Sequence, residues 1–203
     1  MTDRQAELEA AANAVDAASL QAARSAVAAS CREYLRWAEI FSRRLESVKP
    51  EELHKFVRAF CLTLLGHLPT RPGTCPFCIQ YGRDRSCRGC GYAAAHGRCD
   101  SENSAFSIFI EAFQELGWEI YRDIEGRPVD HPQAEQIMRC TISATREQAL
   151  RMEEEMQGCG TMQLMMLKAQ YLEEMVKLLP LSLLSAEVGM QALRVKDALQ
   201  RYW

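Results

Sequence analysis

The chain has 203 residues, 48% of them hydrophobic and 25% charged, a balance that suits one globular domain with its own core. A formal net charge of -3 excludes chain-wide attraction to nucleic acid or to an anionic membrane, leaving only a local basic patch for such partners. Nine cysteines would suit a disulfide scaffold in a short secreted chain, but the opening run from Met1 to Gln5 lacks the basic start and apolar core of a secretion signal. Clustered thiols in a reducing, cytoplasmic compartment favour metal.

From Asp3 to Val48 there is no Pro or Gly, and twelve alanines fall in the first thirty residues, which predicts a long helix or a helical pair. Leu20, Val27, Tyr34, Phe41 and Val48 recur every seven residues, with Cys31, Trp37 and Leu45 between them. This stripe is expected to pack on the core of the same chain; the competing reading is a seam with a second copy, making residues 1–48 an oligomerisation segment of a homodimer. The Ala-rich first thirty residues bury little apolar area by themselves and are candidates for fraying.

Pro50 with Glu51 and Glu52 marks a helix start, since proline needs no amide partner in the first turn and carboxylates favour the positive end of the helix dipole. Leu53, Phe56, Val57, Phe60, Cys61, Leu64 and Leu65 then follow the spacing of one buried helical face, stopped by Gly66 and Pro69. Residues 69–100 lose the helical period to Pro, Gly, Arg and Cys, so an inserted loop or small hairpin is predicted there. Helical spacing resumes after Asp100 or Ser101, either of which would cap, with Phe106, Phe109, Ile110, Phe113 and Leu116 on one face before Gly117. Trp118 to Val129 reads as irregular, ended by Gly126 and Pro128.

Asp130 as cap and Pro132 in the first turn open another helix, carrying Met138, Ile142, Ala149, Met152 and Met156 to the break at Gly158-Cys159-Gly160. Two further helices are marked by Met162, Met165, Met166, Ala169, Leu172, Val176 and Leu179, and by Val188, Ala192, Val195, Leu199 and Tyr202, with Pro180 between them. The most apolar run, Leu178 to Leu184, is broken by Pro180 and Ser182 and falls short of the roughly 18 residues needed to span a bilayer. The expected fold is all-α: a single helical domain over 1–203, a bundle of about six helices with a cysteine-rich zinc-knuckle loop inserted at 69–100.

The loop reads Cys75-Pro-Phe-Cys78, eight residues, then Cys87-Arg-Gly-Cys90-Gly-Tyr. Each Cys-x-x-Cys turn points two sulfurs at one centre, so Cys75, Cys78, Cys87 and Cys90 supply a tetrahedral set for one zinc at about 2.3 Å. Pro76 shapes the first turn, and Gly89 and Gly91 permit tight or left-handed backbone whose amides can face sulfur. At motif level this resembles the paired knuckles of zinc ribbons, over roughly 30 residues of the chain. An iron-sulfur cluster is the less favoured occupant, because the spacing lacks the tight cysteine run of bacterial ferredoxins. His96 and Cys99 follow closely and either would serve as a substitute ligand or as a redox and metal-exchange handle.

Cys-Pro-Phe-Cys alone resembles the dithiol of glutaredoxin-type oxidoreductases, but a helix rather than a strand precedes it and Gly82, Arg83, Asp84 and Arg85 follow. Arg71, Arg83, Arg85, Arg88 and Arg98 against Asp84 and Asp100 make the loop basic, with Tyr81 and Tyr92 as stacking candidates for nucleic acid. Four zinc-bound thiolates carry about -2, so the surplus of three positive charges falls to about one, and charge compensation is the favoured role of the arginines. Cys31, Cys61 and Cys140 fall in helical stretches and read as packed thiols; Cys159 reads as part of an interhelix turn. His54 and His67 form no evident acid-base pair, and the methionines read as core filler.

The run from Pro128 to Glu135, with Asp130, His131 and Glu135, resembles the Asp-His segment of all-helical maturation chaperones for redox enzymes. No phosphate-binding glycine loop, nucleophile elbow or His-Glu-x-x-His pair occurs, which disfavours a conventional enzyme. The favoured expectation is a non-enzymatic zinc protein whose helices bind a protein partner as adaptor or regulator. A redox- or metal-responsive sensor using Cys99 and His96 is the alternative, and an accessory maturation chaperone the next.

Overall fold

The computed structural model describes residues 3–82, 87–127 and 129–202, and within these every regular element is helical. Arg83, Asp84, Arg85 and Pro128, which figured in the sequence reading, lie outside the described residues. Among the described residues no helix is long and apolar enough to cross a membrane.

The alanine-rich start is a helical pair, α1 (Asp3–Asn13) and α2 (Ala17–Leu45). The break is enforced by hydrogen bonding rather than by a breaker residue. The Asp16 side chain caps α2 by accepting from the Ser19 amide at 2.6 Å, while the Gln80 side chain accepts from the Asp16 amide at 2.6 Å and donates to the Ala14 carbonyl at 2.9 Å. Nor does α1 stand off as a fraying end, because Leu8 and Ala12 are buried. On α2 the heptad stripe faces inward along most of its length: Val27, Cys31, Tyr34, Phe41 and Leu45 are buried, Leu20 and Val48 are half-buried, and Trp37 is exposed at the edge.

A 3-10 turn, Pro50–Glu52, leads into α3 (Leu53–Gly66), whose predicted face is buried except for the half-buried Phe56. Phe60 meets Phe41 of α2 edge-on, with ring centroids 5.4 Å apart. The stretch predicted as loop or hairpin contains a 3-10 turn, Pro72–Thr74, and two short helices, α4 (Pro76–Tyr81) and α5 (Gly91–His96). These helices are too short to show a 3.6-residue period, so their sequence has no helical signature.

The next helix, α6 (Ala105–Arg122), corrects the reading at both ends. Ser104, not Asp100 or Ser101, caps it by accepting from the Ser107 amide at 3.0 Å; Asp100 is engaged by Arg98 at 2.8 Å instead. The helix also runs through Gly117 rather than stopping there, which makes Trp118 to Arg122 helical and not irregular. Ile120 is fully buried, and Arg58 of α3 donates to the carbonyls of Ile120 and Tyr121, so tertiary contacts satisfy the last turn.

Three long helices complete the chain: α7 (His131–Glu155), α8 (Thr161–Lys177) and α9 (Ala186–Tyr202), with a 3-10 turn at Leu181–Leu183. Asp130 precedes α7 as expected, but its side chain makes no capping bond. The described residues thus hold nine α-helices rather than about six, the surplus coming from the split N-terminal pair and the two short helices of the cysteine loop.

Helix α2 packs along α7 and touches α3 and α4; α6 lies along α9, and α8 bridges α7 and α9. The α2–α7 contact is pinned by a buried hydrogen bond from the Tyr34 hydroxyl to Thr145 Oγ1 at 2.6 Å, and Thr145 donates in turn to the Thr141 carbonyl at 2.8 Å. Tyr34→Phe is expected to leave Thr145 without its donor and to cost about 1 kcal/mol, read as a melting temperature lower by roughly 3 °C. An unchanged melting curve would show that this bond adds nothing net.

Candidate metal centre

The cysteine loop is folded into the body of the protein. Helix α4 lies against α2, and α5 lies under α1. Phe77 is fully buried, as is most of Tyr92, and Gln80 ties α4 to the turn between α1 and α2. Gly91 is where α1 comes closest: a Cβ there would stand 2.3 Å from the Ala11 Cβ and 3.2 Å from the Leu8 Cα. The sequence reading valued Gly91 for backbone freedom, but of the two glycines only Gly89, at φ +79°, is left-handed, and Gly91 is needed for lack of bulk.

Each knuckle sets one cysteine at the start of a short helix, the first cysteine in the first knuckle and the second in the second. Cys75 is the residue before α4, with Pro76 in the first turn, and the Cys78 amide donates to the Cys75 sulfur. Cys90 is the residue before α5, and the amides of Ala93 and Tyr92 donate to its sulfur. Cys87 adopts a left-handed conformation at φ +50°, and its carbonyl accepts from the Cys90 amide at 3.1 Å, closing the second turn around Gly89. The donating amides are those of Cys78, Tyr92 and Ala93 and not those of Gly89 and Gly91, from whose backbone freedom such bonds were expected.

Bonds link three of the thiols, and Cys90 lies near enough to act on Cys78 electrostatically. Cys75 donates a hydrogen bond to Cys78, which with burial holds the Cys75 thiol well above its ordinary range. The bond from Cys75 favours ionised Cys78, but the bond that Cys78 makes to Cys99, burial and the neighbouring Cys99 and Cys90 outweigh it and push Cys78 up to about 12. Burial likewise raises Cys90, which feels both Cys75 and Cys87. Arg98, paired with Asp100, also interacts with Cys87.

Cys99 is therefore the thiol that the two-knuckle reading left outside and that the fold brings in. His96 instead stacks on Tyr92, with ring centroids 4.6 Å apart, and burial lowers its pKa. Among the described residues no group of three or more His, Cys, Asp and Glu side chains has a metal-holding arrangement; three of the thiols are bonded to each other in a chain. Their chemistry nevertheless fits a thiophilic ion, because sulfurs that already accept backbone amides become soft anionic ligands once the shared protons leave.

The remaining candidates are dispersed. Cys31 and Cys61 are buried, which pushes Cys31 up to about 12 and Cys61 higher still, so both stay protonated as packed thiols. Cys140, expected among the packed thiols, instead lies on the exposed side of α7, accepting a bond from Gln136 at 3.4 Å. Cys159 is buried in the turn between α7 and α8, where its carbonyl accepts from Arg24. Of the Asp-His segment, Asp130 is exposed, the His131 ring is half-buried, and Glu135 pairs with Arg139 at 2.8 Å. His67 bonds the Thr63 carbonyl at 2.7 Å.

Two arrangements were missed by sequence reasoning. His54 Nε2 bonds the Asp123 carbonyl at 2.7 Å, and the buried Asp123 carboxylate accepts from the amides of Gly126 and Ser185, a scaffold joining α3, the α6–α7 connection and the start of α9. Beside the first knuckle, Lys168 of α8 is buried and bonded to Thr74. Its signal was legible in principle: Lys168 shares a helical face with Leu164 and Leu172, so a charge stands on a core stripe. No protein-family model, no curated protein and no solved structure matches this chain.

Proposed function

We propose that this chain is a non-enzymatic helical metal-binding protein in which Cys75, Cys78, Cys87 and Cys90 hold one structural zinc and the surrounding helices serve a protein partner as adaptor or regulator. The observation that carries the reading is the pair of thiol turns held side by side, with Cys75 bonded to Cys78, Cys90 near enough to act electrostatically on Cys78, and backbone amides directed at Cys75 and Cys90. Zinc there would tie α4 to α5 and, through Gln80 and Gly91, steady the seat of α1. A protein-binding role draws on exposed apolar side chains at the end of α6: Trp118 and Tyr121 stand edge-on with centroids 5.9 Å apart, and Ile124 is 80% exposed.

Anaerobic purification followed by elemental analysis and an absorption spectrum tests the metal directly. One zinc per chain and no visible absorption is the expected result. Iron with visible absorption would replace zinc by a cluster, and a protein free of metal after purification and zinc addition would overturn the reading.

A second reading rests on the bond between Cys78 and Cys99. A fifth thiol against a ligand cysteine makes the centre a metal- or redox-responsive sensor, from which mild oxidant releases the metal as Cys78 and Cys99 lose two electrons to form a disulfide. Metal content indifferent to oxidant would remove this reading.

A further inference from the structure

Lys168 is 1% exposed, near the middle of α8, between the buried Leu164 and Leu172. Its ammonium donates to the Thr74 carbonyl at 2.7 Å and to Thr74 Oγ1 at 3.0 Å, the residue immediately before Cys75. The Thr74 hydroxyl faces the carbonyls of Pro69 and Arg71 at 2.8 and 2.7 Å, so the lysine holds the turn from which the first knuckle starts. Lysine is an expensive choice for this tether, because a buried ammonium needs an anion and a neutral donor would serve the turn as well. Among the described residues no carboxylate forms an ion pair with it. The ionisable groups that act on it are the thiols of Cys75 and Cys78.

We propose that Lys168 is the resident counter-charge of the thiolate centre, a positioning residue that holds the first knuckle through Thr74 and balances the negative charge formed when a thiophilic dication replaces the thiol protons. This rests on the metal reading above. Four thiols release four protons to solvent as the dication binds, leaving the centre at about -2, and the ammonium brings the cluster to about -1. The balance also works in reverse. Without the dication the hydrogen bonds of Lys168 go to the carbonyl and hydroxyl of Thr74, both neutral, so metal occupancy stabilises α8 as well as the loop.

The test compares zinc-loaded and zinc-stripped protein for the wild type, Lys168→Met and Lys168→Gln, by competition with a chromophoric chelator and by thermal melting. Both variants should bind zinc about 10- to 100-fold more weakly, the range for partners that support metal ligands. Loaded, they should melt below the loaded wild type; stripped, they should melt at or above the stripped wild type, because the uncompensated charge is gone. A lysine that is only a tether would instead give the same loss in both forms, and Lys168→Gln, which keeps a donor for Thr74, would behave as wild type. Either result, or unchanged zinc affinity, overturns the proposal. A wild type that binds no zinc fails the metal reading itself, and this inference with it, whereas normal zinc binding in both variants fails the inference alone.

Should neither variant fold, brief acetylation of the wild type read by mass spectrometry decides. Lys168 is expected to be protected with zinc and labelled after stripping, while the exposed Lys177 changes little. Equal labelling of Lys168 in the two states would overturn the coupling.

Discussion

Cys75→Ser or Cys87→Ser is expected to abolish stoichiometric zinc binding and to lower the melting temperature by on the order of 10 °C. The two positions belong to different knuckles: Cys75 is buried before α4, and Cys87 is half-buried in the second turn. A serine hydroxyl is nearly isosteric with the thiol, so packing changes little and the loss reports the ligand. Chelation of the wild type should reproduce the melting loss of either variant, and adding chelator to a variant should produce no further loss. Full zinc content with unchanged melting in both variants would remove the structural-zinc reading. If Cys99 takes the place of Cys87 as a ligand, Cys87→Ser keeps its metal while Cys99→Ser loses it, and elemental analysis separates the two.

The second large effect is expected at Gly91. A valine side chain in its place would collide with the Ala11 Cβ and crowd the Leu8 backbone and the Glu7 carbonyl at 3.2 Å, atoms of α1 that cannot turn aside as a flexible side chain can. Overpacking of this kind costs up to about 3 kcal/mol, and the cheapest relief is to lift α1 off α5. Gly91→Val should therefore show rapid proteolysis at the turn around Ala14 to Asp16, faster amide exchange in α1, and a melting temperature lower by roughly 6 to 12 °C. Because Gln80 spans α4 and the same turn, weaker zinc retention should accompany the loosened helix. A variant with α1 as protected as in the wild type would show that the close approach relaxes at little cost.

How far the fold could be read ahead of the structure differs from element to element. The face of α3 was fully legible, since Leu53, Val57, Phe60, Cys61, Leu64 and Leu65 repeat with the helical period and all are buried. The end of α6 was not. Gly117 resembles a stop, but its Cβ position opens on empty space, so continuing the helix costs only backbone entropy, and Arg58 on another helix satisfies the carbonyls that follow. A helical pair was one of the two readings of residues 3–48, but the place of its division was not legible, because the side chain that bridges it, Gln80, arrives from 64 residues away.

The candidate centre divides along the same line. Cys75, Cys78, Cys87 and Cys90 stand out because a Cys-x-x-Cys turn is a local device, in which four residues suffice to aim two sulfurs together. Whatever meets those sulfurs from afar left only a weak trace. Cys99 reaches Cys78 across the span of α5, and Lys168 reaches Thr74 from 94 residues away.

Sequence alone thus determined that the chain is helical, which faces of α3, α7 and α9 are buried, and where a pair of thiol turns stands, because helical period and knuckle spacing are properties of a few neighbouring residues; on α8 the predicted Met166 is exposed and Leu164, Lys168 and Tyr171 take the buried face. Tertiary structure decided that the cysteine loop is itself helical and lies beneath α1, that Cys99 joins its thiols, and that an ammonium is buried beside them. Those outcomes depend on which surfaces the packed helices bring within bonding distance, and no local period or spacing carries that information.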